Sequence, residues 1–173
     1  MELVEQYEQW KETYRSNWLA HFEQPGQINW SLYNRPNNKQ APSGKALDLA
    51  SSRIIFISSA GGYLPASQEP FDAPHPLGDY TIRVFPANVQ FDQIAYAHTH
   101  YDHTALNADP QVLMPLRHLA DMAEEGVIGE VAPDMISYMG YQPDVSRVVD
   151  EMIPAIVEAV EASGADGALV VPA

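Results

Sequence analysis

Arg53-Ile54-Ile55-Phe56-Ile57-Ser58, closed by Ser59-Ala60-Gly61-Gly62, is the stretch on which the reading of the fold turns. Ile54 to Ile57 are apolar without alternation, and three of them are β-branched. A run of that length and kind suits a strand buried on both faces, as in a parallel sheet, and the glycine pair makes the turn that ends it. Further along, Tyr80-Thr81-Ile82-Arg83-Val84-Phe85 alternates and predicts a second strand stopped by Pro86. Gln93-Ile94-Ala95-Tyr96-Ala97 predicts a third, and Ala168-Leu169-Val170-Val171-Pro172 opens another buried one. The Pro-rich stretch between Leu64 and Leu77 is irregular by composition. Two helical patterns separate the strands. Val112, Leu113, Leu116, Leu119, Ala120 and Ala123 form one stripe, with Pro115 in the first turn and Gly126 as the stop. Val145, Val148, Val149, Met152, Ile153, Ile156, Val157 and Val160 form another, between Asp144 as N-cap and Gly164 as C-terminal breaker. Pro154 is expected to kink or shorten that helix. Strands interleaved with helices give an α/β fold with a mainly parallel central sheet and flanking helices.

Upstream, Leu3, Tyr7, Trp10, Tyr14 and Trp18 or Phe22 fall at steps of three and four. They predict an added N-terminal helix with an aromatic stripe, which serves core or subunit contact better than a cofactor box. Residues 24–43 are rich in Pro, Asn, Gln and Gly and read as a loop. The chain has 173 residues and 19.2 kDa, which fits one domain: helix at 1–23, loop at 24–43 and α/β core at 44–173. Nine basic against 23 acidic residues leave a net charge of −14, which excludes nucleic-acid and anionic-membrane partners. There is no cysteine, so these residues hold no disulfide, thiolate metal site or Cys nucleophile. No signal-peptide pattern opens the chain and no apolar run is long enough for a membrane span. The expectation is a soluble, cytoplasmic protein.

The densest chemistry is His98-Thr99-His100-Tyr101-Asp102-His103, just past the third predicted strand, where α/β sheets gather ligands. His98, His100, Asp102 and His103 are the candidate catalytic residues. Three imidazoles and a carboxylate can do acid–base work on a substrate, bind Zn or Fe as in the His-x-His-x-Asp-His motif of metal-dependent hydrolases, or hydrogen-bond structurally. Against the metal reading, no small-residue turn follows, and the one later histidine, His118, falls inside a helix pattern. Ser59, Gly61 and Gly62 are candidate substrate contacts, because a glycine pair after a strand lets backbone N–H groups approach an anion. The same residues make a plain tight turn. Arg83 is the last candidate, either clamping a substrate carboxylate or pairing with Asp72 or Asp79.

Taken in order, several short motifs resemble one family. They are Ser59-Ala60-Gly61-Gly62-Tyr63, Pro70-Phe71-Asp72, Gly78-Asp79-Tyr80-Thr81-Ile82-Arg83, His100-Tyr101-Asp102-His103, Gly126-Val127-Ile128-Gly129, Ala132-Pro133 and Ser137-Tyr138-Met139-Gly140-Tyr141. Together they resemble the selenoprotein B family of glycine, sarcosine, betaine and D-proline reductases, closest to the short D-proline-reductase type, from about Ser58 to Ala173. The resemblance implies a subunit of a reductase that cleaves a C–N bond α to a carboxylate in an amino-acid-like substrate. It implies a selenocysteine or cysteine nucleophile after Ala173, and a pyruvoyl group on a partner subunit. It therefore implies a partner reductase subunit; homo-oligomerisation is a separate expectation. No metal is implied. The 173-residue form is expected to lack the nucleophile and to be inactive alone. A metal-dependent hydrolase and a non-catalytic binding or assembly module are the alternatives. Because the last strand is apolar, the expectation is also that it either associates with another copy or is covered by the N-terminal helix.

Overall fold

In the computed structural model, which describes residues 4–23, 29–40, 44 and 46–173, the run at 53–58 is the strand around which the sheet is built. Leu3 of the aromatic stripe, and positions 24–28, 41–43 and 45, lie outside the described residues. In chain order the elements begin with α1 (Tyr7–Tyr14), a π-helical stretch (Arg15–Leu19) and α2 (Ala20–Glu23). Strands β1 (Arg53–Ser58), β2 (Gly62–Tyr63), β3 (Arg83–Pro86) and β4 (Ala95–Tyr96) follow. Then come α3 (Thr104–Ala108), α4 (Leu116–Glu124), β5 (Glu130–Val131) and β6 (Asp134–Ser137). The chain closes with α5 (Val145–Arg147), a second π-helical stretch (Val148–Met152), α6 (Ile153–Ser163) and β7 (Gly167–Val171).

The central sheet is mainly parallel. β7 runs beside β1 from Ile54↔Gly167 to Ser58↔Val171, and β6 flanks the other edge at Ile57↔Ile136 and Ser58↔Ser137. β5 pairs with the start of β1 at Arg53↔Glu130. It is separated from β6 by Ala132 and Pro133, the latter lacking the N–H a ladder needs. Both faces of β1 are covered. Ile54 and Phe56 pack with Phe85, Met114, Leu116, Leu119 and Met135, which places α4 on one side. Ile55 and Ile57 pack with Ile136, Ile156, Ala159 and Val160, which places α6 on the other.

Two expected strands are shorter than their patterns, and neither is parallel. The segment at 80–85 joins the sheet only from Arg83, and it pairs antiparallel with β6 through Pro86. Residues before it are held otherwise: the Asp79 carboxylate accepts the N–H and hydroxyl of Thr81 in a local turn. Pro86 closes an edge strand rather than preceding its stop, which the missing N–H allows. The segment at 93–97 shrinks to β4, because 91–93 forms a 3-10 turn, and it pairs with β2 outside the central sheet.

The Asp144 helix starts and stops as its caps dictate. The Asp144 carboxylate accepts the N–H and hydroxyl of Ser146, and Gly164 closes α6 at φ 65°. Pro154 does not break the run. It sits in the first turn of α6, directly after a π-helical stretch that absorbs the register change. The apolar stripe is only partly buried: Met152 is inside, whereas Val157 is 46% exposed.

The aromatic stripe forms a ladder of stacked rings, Tyr7–Trp10–Tyr14–Trp18–Phe22, at centroid distances from 4.7 to 5.8 Å. It packs against Tyr33, Leu77 and Val145. It therefore does not cover β7, contrary to one arm of the expectation. Leu169 and Val170 of that strand are 38% and 53% exposed. Among the described residues no helix is long and apolar enough to cross a membrane.

The ladder carries a prediction. Trp18 is 1% exposed and its indole N–H has no hydrogen-bond partner in the described structure, whereas that of Trp10 donates to the Asn34 carbonyl at 2.9 Å. Trp18→Phe removes ring volume but also an unpaired buried donor, so its net cost is expected within about 1 kcal/mol. Trp10→Phe is expected to cost about 1–2 kcal/mol, because it strands a carbonyl. Urea unfolding of the two variants side by side checks the order.

Candidate functional site at the strand ends

The carboxyl ends of β1, β6 and β7 meet at the turn from Ser59 to Gly61. Ser59 N–H donates to the Val171 carbonyl, Gly61 N–H to the Tyr138 carbonyl, and Gly140 N–H to the Ser59 carbonyl, all at 3.0–3.2 Å. The Ser59 hydroxyl accepts the Ala173 N–H at 2.7 Å, and Ala60 N–H donates to the Ser58 hydroxyl. The N–H groups of residues 59 to 61 are thus already spent within the protein, so this turn is not an open anion nest. Its glycine has another use. Gly61 sits at φ +68°, and a Cβ there would lie 2.8 Å from the Cβ of His98. The missing side chain is what admits His98.

His98 is 5% exposed. Its Nδ1 accepts the His100 N–H at 3.1 Å, so the neutral ring carries its proton on Nε2. That nitrogen faces Gly140, where an added Cβ would stand 3.0 Å from Nε2 and 3.3 Å from the Ser59 hydroxyl. Burial pushes the His98 imidazole down to about 4, and the neighbouring His100 and His103 add to the shift. At neutral pH it is an uncharged N–H donor.

The rest of the loop holds this ring in place. Tyr101 donates its hydroxyl to the Ala60 carbonyl at 3.1 Å, and its ring lies 5.0 Å from that of His98. His103 donates from Nε2 to the His98 carbonyl at 2.7 Å. Exposed His100 stacks flat on Tyr141, centroids 4.1 Å apart at 9°. Asp102 is placed differently. Its Oδ1 accepts the N–H and hydroxyl of Thr104 at the start of α3, and those bonds hold the carboxyl below its ordinary value.

Of the candidates, then, Ser59, Gly61, His98, His100 and His103 come together and Asp102 opens a helix beside them. Gly62 instead faces the core, where a Cβ would collide with the Met114 methyl. Arg83 is committed to the segment preceding it in the chain. Its guanidinium lies 4.3 Å from the Phe71 ring and donates to the carbonyls of Glu69, Pro70 and Ile82 and to the Thr81 hydroxyl. Among the described residues it forms no ion pair with Asp72 or Asp79. Gly140, Tyr101 and Tyr141 were not among the candidates. Gly140 and Tyr141 lie in one of the short motifs, but nothing in their spacing says that they meet the histidines.

Among the described residues no three His, Asp or Glu side chains are grouped to hold a metal ion. The reason is visible in the loop: Nδ1 of His98 and Nε2 of His103 both engage backbone.

Residues 31–172 match the family model described as glycine/sarcosine/betaine reductase selenoprotein B. D-proline reductase subunit gamma of Acetoanaerobium sticklandii is 26% identical over 122 residues, covering 70% of this chain and 49% of that protein. The chain therefore spans about half the length of that curated relative. No solved structure matches.

Proposed function

Starting from the fact that the chain belongs to the glycine/sarcosine/betaine reductase selenoprotein B family, we propose that it is the reductase subunit that receives an amino-acid-like substrate at the strand ends. The reaction is reductive cleavage of the C–N bond α to the substrate carboxylate. The observation that carries the reading is the neutral, buried His98, with its protonated Nε2 beside Gly140 where β1, β6 and β7 end. A neutral donor in a largely buried position binds a carboxylate oxygen without itself needing a counter-ion. Ser59 and Gly61 shape the wall that fixes this ring. His100, exposed on Tyr141, is assigned the role of giving a proton to the departing amine, and Asp102 and His103 that of holding the loop.

The family implies a selenocysteine or cysteine nucleophile and a pyruvoyl group on a partner subunit, which supply the bond-breaking chemistry. The 173 residues contain no cysteine, so that nucleophile is outside them, and this chain contributes binding and proton handling. Alone, with a dithiol donor, the 173-residue form is expected to show no turnover of glycine, sarcosine, betaine or D-proline. Turnover would overturn the division of labour. Titration of those four compounds, followed by amide NMR shifts, tests the site itself. One of them is expected to shift residues 59–61, 98–103 and 139–141, and to lose most of its affinity on His98→Asn. No response from any of the four at these residues would sink the reading.

A further inference from the structure

At the other end of the sheet, α4 and the turn at 87–91 leave a cavity of about 410 Å³, a volume within the range of small-molecule sites. Val89, Phe91, Leu116, Ala120, Val131 and Pro133 give it an apolar wall. Three polar side chains stand on its lining: Arg117, Asn88 and Gln90. Among the described residues none of the three makes a side-chain hydrogen bond or ion pair. The guanidinium of Arg117 lies 4.8 Å from the centroid of the Phe91 ring. That contact takes up none of its N–H donors with a protein acceptor, and their fork matches a carboxylate. Arg53, Arg83 and Arg147 are by contrast all engaged with carboxylates or carbonyls.

We propose that this cavity is a binding site for a small organic monocarboxylate with an aromatic or branched aliphatic body. The carboxylate meets the Arg117 fork, the body lies against Phe91, Leu116 and Val131, and the amides of Asn88 and Gln90 complete the polar rim. In a chain of net charge −14, an unpaired guanidinium bordering an apolar wall selects an anion that also carries apolar surface. The site is separate from the histidine loop. Strand β6 starts beside the cavity at Asp134 and ends at Ser137, where it meets the turn at 59–61, and Ala132 to Ser137 spans roughly 17 Å of extended chain. It also stands independently of the reductase reading.

The test is titration of the full chain with 3-phenylpropionate, followed by amide NMR, beside the neutral 3-phenylpropanamide. The acid is expected to bind at least about tenfold tighter than the amide, one charge-assisted bidentate contact being worth that much. Its shifts are expected at 87–91, 116–120 and 131–132. Arg117→Met should weaken the acid about tenfold and leave the amide unchanged. Ala120→Leu, which fills the cavity, should abolish binding of both while the remaining spectrum stays that of the folded protein. Equal affinity for acid and amide, shifts centred on His98, or indifference to both substitutions would each overturn the proposal, as would absence of binding at millimolar ligand.

Discussion

Gly61→Ala is expected to destabilise the protein by about 2–5 kcal/mol and to dislodge the histidine loop. Two costs add. The backbone is at φ +68°, where a Cβ costs about 1–2 kcal/mol. The new methyl would also stand 2.8 Å from the His98 Cβ and 3.0 Å from its backbone nitrogen, and crowding of that kind in a packed region costs about 1–3 kcal/mol. Gly126 separates the two terms. It has φ +72° with nothing within 4 Å of an added Cβ, so Gly126→Ala should cost only about 1–2 kcal/mol. Denaturant midpoints measure both. Equal losses at 61 and 126 would mean that His98 is not lodged against Gly61 as described.

The second large effect is in acid. An unfolded histidine takes up its proton near 6.5, and folded His98 does so only near 4. Between those values the unfolded chain binds more protons than the folded one, so stability rises with pH across the window. The contribution is whole above pH 6.5 and disappears as pH falls toward 4, amounting to about 3 kcal/mol. Asp102, Asp150 and Glu151 are held below their ordinary values, and their losses come mainly at still lower pH. His98→Asn keeps an acceptor for the His100 N–H and removes the titrating ring. Unfolding free energies of the two proteins at pH 7 and pH 4.5 should therefore converge in acid, with the parent falling more steeply. Parallel lines would refute the buried neutral imidazole.

What could be read in advance followed local physics. The four-residue apolar core of β1, the Asp144 cap and the Gly164 stop each depend on a few adjacent side chains, and each stands where the sequence places it. The parallel alignment of β7 with β1 agrees with two apolar runs separated by helices, although β7 itself is largely exposed where the sequence reads as a buried strand. Reading failed where a distant or competing partner decided the outcome. Asp79 drew Thr81 into a turn and shortened β3, and the 3-10 turn at 91–93 cut β4 to two residues. Val157, Leu169 and Val170 are apolar yet substantially exposed, which no periodicity reveals. At the site, the adjacency of three histidines suggested a cluster acting together. The fold instead buries one, stacks one on Tyr141 and ties the third to a carbonyl. Only the folded chain shows Gly61 and Gly140 framing His98 from two different strand ends.

Tyr14 bears on where this molecule can be cut. Its hydroxyl donates to the Pro143 carbonyl at 2.6 Å and accepts the Val145 N–H at 3.2 Å, while Asp144 N–H donates to the Tyr80 hydroxyl. The first donors of the helix that begins at Val145 are thus satisfied partly by a residue of α1, upstream of position 31, where the family match starts. A fragment trimmed to that match would strand a buried N–H and a carbonyl, at about 1–3 kcal/mol each, and would strip the aromatic cover from Leu77 and Val145. The stretch that the family model matches and the stretch that can stand by itself have different borders, and a working minimal version of this protein has to keep the ladder upstream of position 31.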